Sequence, residues 1–484
     1  MSRRRASVAL VVAFAVALAA VPGLDGVAPQ GRHAADWIDL RDPFEPDRAE
    51  GSGANADSGP SDQRRERLAA GLDSIRATEL HERGVTGDGA AVGVIGSGFA
   101  PEHWSIGENV TTHRRTGASA DGSSETAHDT AVAEVVTRTA PDADLYLVSV
   151  GTEPAPGQYA EAVEWLVAND VDVIVDSGSY FPPTMEGMEE IADAADDAAD
   201  EGVVFVTSAG NYADRHWAGS ADDGGWVAFD SGVEANPLDG GAAVEGRVAI
   251  RLYWDSPADY DLYLYRHVPD RSDPVVAKSI RRQAENDSAP TSESIDVGVP
   301  RGTYYVAIHA HEGIANDATL RLFSAHQSLG YATPEGSFVA PATGESVIAV
   351  GAFDAESGAV RAYSSRGGTV GGASVDIGAP DGVETAVSGR FYGTSAAAPF
   401  VAGTAALMTS NADDLSPAET RRILRRTADE SHGTKRLDAL AAVRAASDGD
   451  AAVDPSGSEP ASIGTGANAV GDEGTEATAP ASAC

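Results

Sequence analysis

The chain reads as an α/β protein, a doubly wound parallel sheet interrupted by an inserted all-β sandwich. Two observations predict this. Over residues 68–227, and again over 327–447, short apolar runs alternate with amphipathic helical runs through short connections. That is the rhythm of parallel strands covered by helices on both faces. Between the two halves, residues 228–326 change to short alternating runs punctuated by Gly, Pro, Asp and Asn. Such a run has the look of an all-β sandwich.

The elements follow in order. Arg3-Arg4-Arg5 precedes an apolar run from Val8 to Val21, shorter than the ~20 residues a bilayer span needs. It is built like a secretory signal, assigned to residues 1–28, with Ala17-Leu18-Ala19 as a small-residue cleavage site. The arginines permit the twin-arginine export route. Residues 29–67 are polar, without sustained periodicity, and read as a disordered leader or linker. In the first half, helices are expected over 72–82, 128–139, 159–169 and 185–201, and strands over 92–95, 143–150, 171–175 and 203–206. In the insert, strands are expected over 248–253, 261–265, 275–279, 303–308 and 319–323. In the second half, a strand over 347–352 precedes a helix ending near Met408 and an amphipathic helix over 417–427. Residues 448–484, rich in Gly, Ala, Ser, Asp and Glu, read as a disordered acidic tail.

Composition narrows the function. With 74 acidic against 34 basic residues the formal charge is −40, which argues against nucleic acid or an anionic membrane as partner. The acids also crowd the helical stretch from Met185 to Glu201, so the charge is not confined to tails. An acidic, well-patterned globular chain fits a halophilic protein, because molar salt screens self-repulsion within ~3 Å. The only cysteine, Cys484, rules out an intramolecular disulfide. No second apolar span follows the signal, so the mature protein is expected to be secreted, without stable membrane insertion.

The chemistry centres on Gly393-Thr394-Ser395-Ala396-Ala397-Ala398-Pro399. A helix starting at Ser395 would hold the hydroxyl where free N–H groups and the dipole favour an oxyanion. Pro399 would then lie near the first turn, where a missing N–H costs least. The string resembles the G-T-S-x-A-x-P nucleophile motif of the subtilisin-like serine proteases, the subtilases. His128-Asp129-Thr130-Ala131-Val132-Ala133 is similar to their H-G-T-x-V-A, and Ala209-Gly210-Asn211 to their A-G-N. Val347-Ile348-Ala349-Val350-Gly351-Ala352 and Tyr363-Ser364-Ser365-Arg366-Gly367 resemble two further family segments, and the motifs appear in family order across roughly 76–225 and 329–445.

The resemblance implies a secreted endopeptidase acting on peptide or protein substrates. Ser395 is then the nucleophile, His128 the general base and Asn211 an oxyanion donor. Ser177, Gly178 and Ser179 correspond to the segment on which substrate lies as an added strand. It also exposes a gap. The family's V-x-V-I-D-[TS]-G strand, which ends in the triad aspartate, reads here Val92-Gly93-Val94-Ile95-Gly96-Ser97-Gly98, with Gly96 at the aspartate position. Two further departures stand nearby: Asp129 replaces the family glycine and Glu134 another small residue. Adjacent helical side chains diverge by ~100°, so Asp129 is expected to miss His128. The loop carboxylates Glu102, Asp121 and Glu125 read as acidic surface. Catalysis is therefore expected to be impaired, with Gly96→Asp raising kcat. The rival reading is a pseudoprotease that keeps the peptide groove as a binding surface. The sequence assigns no cofactor, and calcium is the one candidate. Asp259 and Asp261, in a segment resembling small β domains appended to secreted peptidases, offer calcium two carboxylates, or form a solvated loop pair.

Overall fold

The computed structural model describes residues 69–116, 123–221, 224–282, 291–311, 318–368, 374–412, 415–430 and 434–448. The signal segment, the leader, Asp121, the acidic tail beyond residue 448 and Cys484 lie outside the described residues.

The first half contributes five strands: β1 (Ala91–Gly96), β2 (Val110–Arg115), β3 (Asp144–Ser149), β4 (Val173–Asp176) and β5 (Val204–Ser208). The insert contributes β6 (His216–Gly219), β7 (Gly225–Trp226), β8 (Asn236–Pro237), β9 (Val244–Trp254), β10 (Tyr260–Arg266), β11 (Val275–Ser279), β12 (Ser292–Gly302), β13 (Tyr304–Ala310) and β14 (Leu320–Ser324). The second half adds β15 (Ile348–Asp354), β16 (Ile377–Asp381) and a hairpin of β17 (Val383–Thr385) and β18 (Gly389–Phe391).

One sheet has the order β16-β15-β5-β4-β1-β3-β2, and every pairing in it is parallel. Its inner strands are covered on both faces, which is why Val173–Asp176 is buried throughout. From β1 the chain moves out to β2 and β3 on one side and to β4 and β5 on the other. The carboxyl ends of β1 and β4 thus flank a topological switch point, where open α/β sheets form their crevice.

The helices are α1 (residues 69–74), α2 (Ala77–His81), α3 (Ser123–Thr139), α4 (Pro156–Val167), α5 (Met185–Asp200), α6 (Thr394–Thr409), α7 (Pro417–Thr427) and α8 (Ala439–Ser447). The single helix expected over 72–82 is broken at Arg76, whose φ of 63° is left-handed. Helix α3 begins ahead of His128, which it carries in its second turn; the apolar stripe starts only at Val132, so the polar first turns give no periodic signal. Helices α3 and α6 share one apolar layer against the sheet, and α4 and α5 share the other. Residues Thr394 to Met408 of α6 are all buried, as expected of a helix apolar on every side. Gly403 brings α6 against α3, since a Cβ there would lie 2.5 Å from the Thr139 Cβ. The helices that carry His128 and Ser395 are thus held in direct contact.

The insert folds as two facing antiparallel sheets, β11-β10-β13-β7 with β8 on β13, and β12-β9-β14-β6. Leu252, Trp254, Leu262, Leu264, Val306 and Ile308 form part of its own core. Its first strand starts at His216, ahead of the 228 boundary that the rhythm suggests. Strands β6 and β14 pair antiparallel, with Phe323 opposite His216, so the two ends of the insert lie side by side. The unit is also keyed into the first half of the α/β region. The Tyr253 hydroxyl donates to the Pro182 carbonyl (2.8 Å). The Phe323 ring packs against Phe181 and Tyr212, with centroids 5.5 and 6.0 Å away.

Candidate active site

Ser395 is the second residue of α6, one position deeper than a helix starting at Ser395 would place it, and Pro399 lies inside the helix beyond its first turn. Gly393 caps α6 with a φ of 103°, which disfavours any side chain. A Cβ at Gly393 would also meet the Asn211 side-chain amide at 3.0 Å. Below this turn, the buried Asp381 carboxylate accepts from the Gly393 N–H (3.0 Å), from the Tyr363 hydroxyl and from Arg361 Nε (2.6 Å). Burial pushes the Asp381 carboxyl up from its ordinary value, while these donors favour the charged form. The turn that carries Ser395 is thereby tied to the end of β16.

Asn211 Oδ1 accepts from the Thr394 N–H (3.0 Å) and the Thr394 hydroxyl (3.2 Å). With its oxygen held by the α6 terminus, the amide has its Nδ2 donors left for another acceptor. The Ser395 hydroxyl donates to the Ser177 carbonyl (3.0 Å), and the Ser177 hydroxyl donates to the Ser395 carbonyl (3.1 Å). The 177–179 segment and Ser395 are therefore joined. Gly178 has no room for a side chain, since a Cβ would lie 2.6 Å from the Tyr180 hydroxyl. Tyr159, Tyr180 and the Gly178 N–H all donate to Asp176, at the end of β4.

His128 packs its ring edge-on against Phe391 of β18, centroids 5.3 Å apart. Its Nδ1 lies 2.7 Å from Oδ1 of Asp129. The other carboxylate oxygen of Asp129 accepts from the Gly98 N–H (3.0 Å), and the residue is only 6% exposed. The expectation that helical divergence puts Asp129 out of reach is thus overturned. Neighbouring Cα atoms are only 3.80 Å apart, and the 100° divergence constrains just the first bond of each side chain. The side-chain torsions beyond it bring imidazole and carboxylate together.

Gly96 explains where that carboxylate fits. A Cβ on Gly96 would lie 2.6 Å from Cγ, 2.7 Å from Oδ2 and 2.8 Å from Cβ of Asp129. Asp129 thus occupies the volume in which a residue-96 side chain would begin. The absence of a side chain at 96 is what admits an acid at 129, and an aspartate at both positions would collide. Glu134, the other departure from the family pattern, is buried and accepts the Ala386 N–H with both oxygens (3.0 and 2.9 Å). It ties α3 to the hairpin that carries Phe391. Glu102 is exposed, and Glu125, expected in a loop, lies in the first turn of α3 because that helix begins at Ser123.

The family model of the subtilases, the "Subtilase family", matches residues 87–245 and 326–451, more than half of the chain, and the protein belongs to that family. Its interruption falls within the sandwich insert. A curated relative, subtilisin DY of Bacillus licheniformis, is 27% identical over 189 residues, 35% of this chain and 64% of the relative. The match therefore spans a little under two thirds of that relative's length. Among solved structures, the Clostridium perfringens CspB protease is similar in fold, with a TM-score of 0.55 at 15% identity, over 78% of this chain and 99% of that one. The nisin leader peptidase NisP from Lactococcus lactis matches at a TM-score of 0.43 and 16% identity, over 78% and 94% of the two chains.

Proposed function

We propose that this subtilase is a serine endopeptidase with a complete but rearranged triad of Ser395, His128 and Asp129. The observation that carries the reading is the Asp129 carboxylate, 2.7 Å from His128 Nδ1 and seated over the Cα of Gly96. A carboxylate there fixes the imidazole tautomer with its proton on Nδ1, leaves Nε2 as the base and stabilises the imidazolium. In acylation the Ser395 hydroxyl would exchange the Ser177 carbonyl for His128 Nε2. The peptide carbonyl oxygen would turn toward Asn211 Nδ2 and the Ser395 N–H, which lacks an intrahelical acceptor in the first turn of α6. The impairment expected from Gly96 alone does not follow once Asp129 is counted.

The acidic surface and the basic-then-apolar N-terminal segment support a secreted protein that works at high salt. On the outer face of α5, Glu186, Glu189, Glu190, Asp193, Asp197 and Asp200 are all exposed. Several stand three or four residues apart, where like charges destabilise a helix unless screened.

A fluorophosphonate probe in multimolar NaCl tests the reading. Wild type should label at one serine, and Ser395→Ala and His128→Ala should not label. A folded wild type that fails to label would favour the pseudoprotease.

A further inference from the structure

We propose that the sandwich insert carries a transition-metal site for a zinc-like divalent cation, formed by Asp261, His309 and His311. Asp261 on β10 stands directly opposite His309 on β13 in the antiparallel register. His311 follows two residues later, and a strand's period of two puts both imidazoles on one face of the sheet. One ligand atom from each of the three residues lies within 4.8 Å of the others. His311 Nε2 is 3.1 Å from Asp261 Oδ2 and 3.8 Å from Asp259 Oδ2. Tetrahedral donors bonded at about 2.0–2.2 Å to a central ion stand about 3.3–3.6 Å apart, so the His311–Asp261 pair is already at ligand spacing and side-chain torsions need close only the wider pairs.

The surroundings fit a metal better than a solvated pair. Asp261 is 7% exposed and Asp259 8% exposed, and carboxylates buried to this degree need a cationic partner or an ion. The Tyr263 hydroxyl donates to Asp261 Oδ2 (3.0 Å), the outer hydrogen bond that orients a ligating carboxylate. Trp226 packs edge-on against the His309 ring, centroids 5.0 Å apart, and holds it in place. The donors decide the metal class. Calcium takes oxygen ligands, whereas two imidazoles with a carboxylate suit zinc and its first-row neighbours. Three protein donors leave a fourth position for water or for Asp259. The ion would clamp β10 to β13 at the edge where the main-chain carbonyl of Asp259 accepts the main-chain N–H of His311 (3.1 Å).

The test uses the full chain, stripped with EDTA in multimolar NaCl so that loose binding to the acidic surface is screened. Zn²⁺ is titrated by calorimetry, and Co²⁺ by its visible absorption. One equivalent should bind per chain with a rise in melting temperature, and bound Co²⁺ should show tetrahedral d–d bands. His309→Gln and His311→Gln should each weaken binding by at least about 100-fold, while His326→Gln should not. Circular dichroism of the metal-free variants checks that they fold. Zn²⁺ binding that persists in the His309→Gln/His311→Gln double variant would overturn the proposal. So would a folded wild type that takes up no stoichiometric Zn²⁺. Each of these would leave an ion pair of His311 with Asp261.

Discussion

The carboxyl end of β1 and the second turn of α3 are packed against each other, and each carries what the family pattern places in the other. The pattern puts an acid on the strand and a glycine after the histidine. Here the strand has Gly96 and the helix has Asp129. The difference teaches that a carboxylate can reach one point in space, 2.7 Å from His128 Nδ1, from the helix instead of the strand. Either element can deliver it, provided the other steps back to a glycine. A gap and an oddity that look like two separate losses in the sequence become one exchange in three dimensions.

The largest expected effect comes from neutralising the acid where it stands. Asp129→Asn removes the charge that favours the imidazolium and offers His128 an amide in the wrong hydrogen-bonding sense. It should lower kcat by about 10⁴-fold, measured on an unstructured protein substrate at high salt, with little change in KM. An unchanged kcat would break the comparison at once.

A smaller wedge probes the vacated side. Gly96→Ala adds only a Cβ, but one 2.6 Å from the Asp129 Cγ. The buried carboxylate would have to shift, at a cost of about 1–3 kcal/mol in stability together with a loss of kcat. Thermal melting and steady-state kinetics on the same preparation read both. A variant that keeps both values would mean that Asp129 does not fill this space.

The neighbouring strand end sharpens the comparison through pH. Burial is the main force that raises the Asp176 carboxyl from 3.8 to about 6; hydrogen bonds from Gly178 and Tyr159 oppose it, and the charge on Asp129 adds to it. A raised carboxyl favours the fold in its protonated form. That contribution is fully present below about pH 4 and is lost as pH rises through 6, a change of about 3 kcal/mol at most. Asp176→Asn should flatten this part of the stability–pH curve. Asp129→Asn should move it modestly to lower pH, because one repelling charge is gone. A curve unmoved by Asp129→Asn would mean that the two carboxylates do not feel each other.

Much of this was legible in the sequence. The β-α-β rhythm located β1, β3, β4, β5 and β15 within a few residues, because strands buried on both faces read as apolar runs. Strand β2 escaped, since Val110–Arg115 lies at the sheet edge and is largely polar. Strand β12 escaped too, although Ile295, Val297 and Val299 alternate; Asp296, Gly298 and Pro300 between them look like loop. The motifs that carry Ser395, His128, Asn211 and the 177–179 segment were readable because each is local in sequence. The contact of Asp129 with His128 was not, because it depends on two elements 33 positions apart sharing one small volume. The signal was nonetheless present: a glycine where an acid is expected and an acid where a glycine is expected.

The most direct measurement is the exchange itself. Gly96→Asp alone should crowd two carboxylates into one space and lose both activity and stability. Asp129→Gly alone should lose about 10⁴-fold in kcat. The double variant Gly96→Asp/Asp129→Gly restores the family arrangement, and it should recover most of the wild-type kcat and melting temperature. A double variant that folds yet is as inactive as the singles, or an Asp129→Gly single that keeps the wild-type rate, would contradict the rearranged triad.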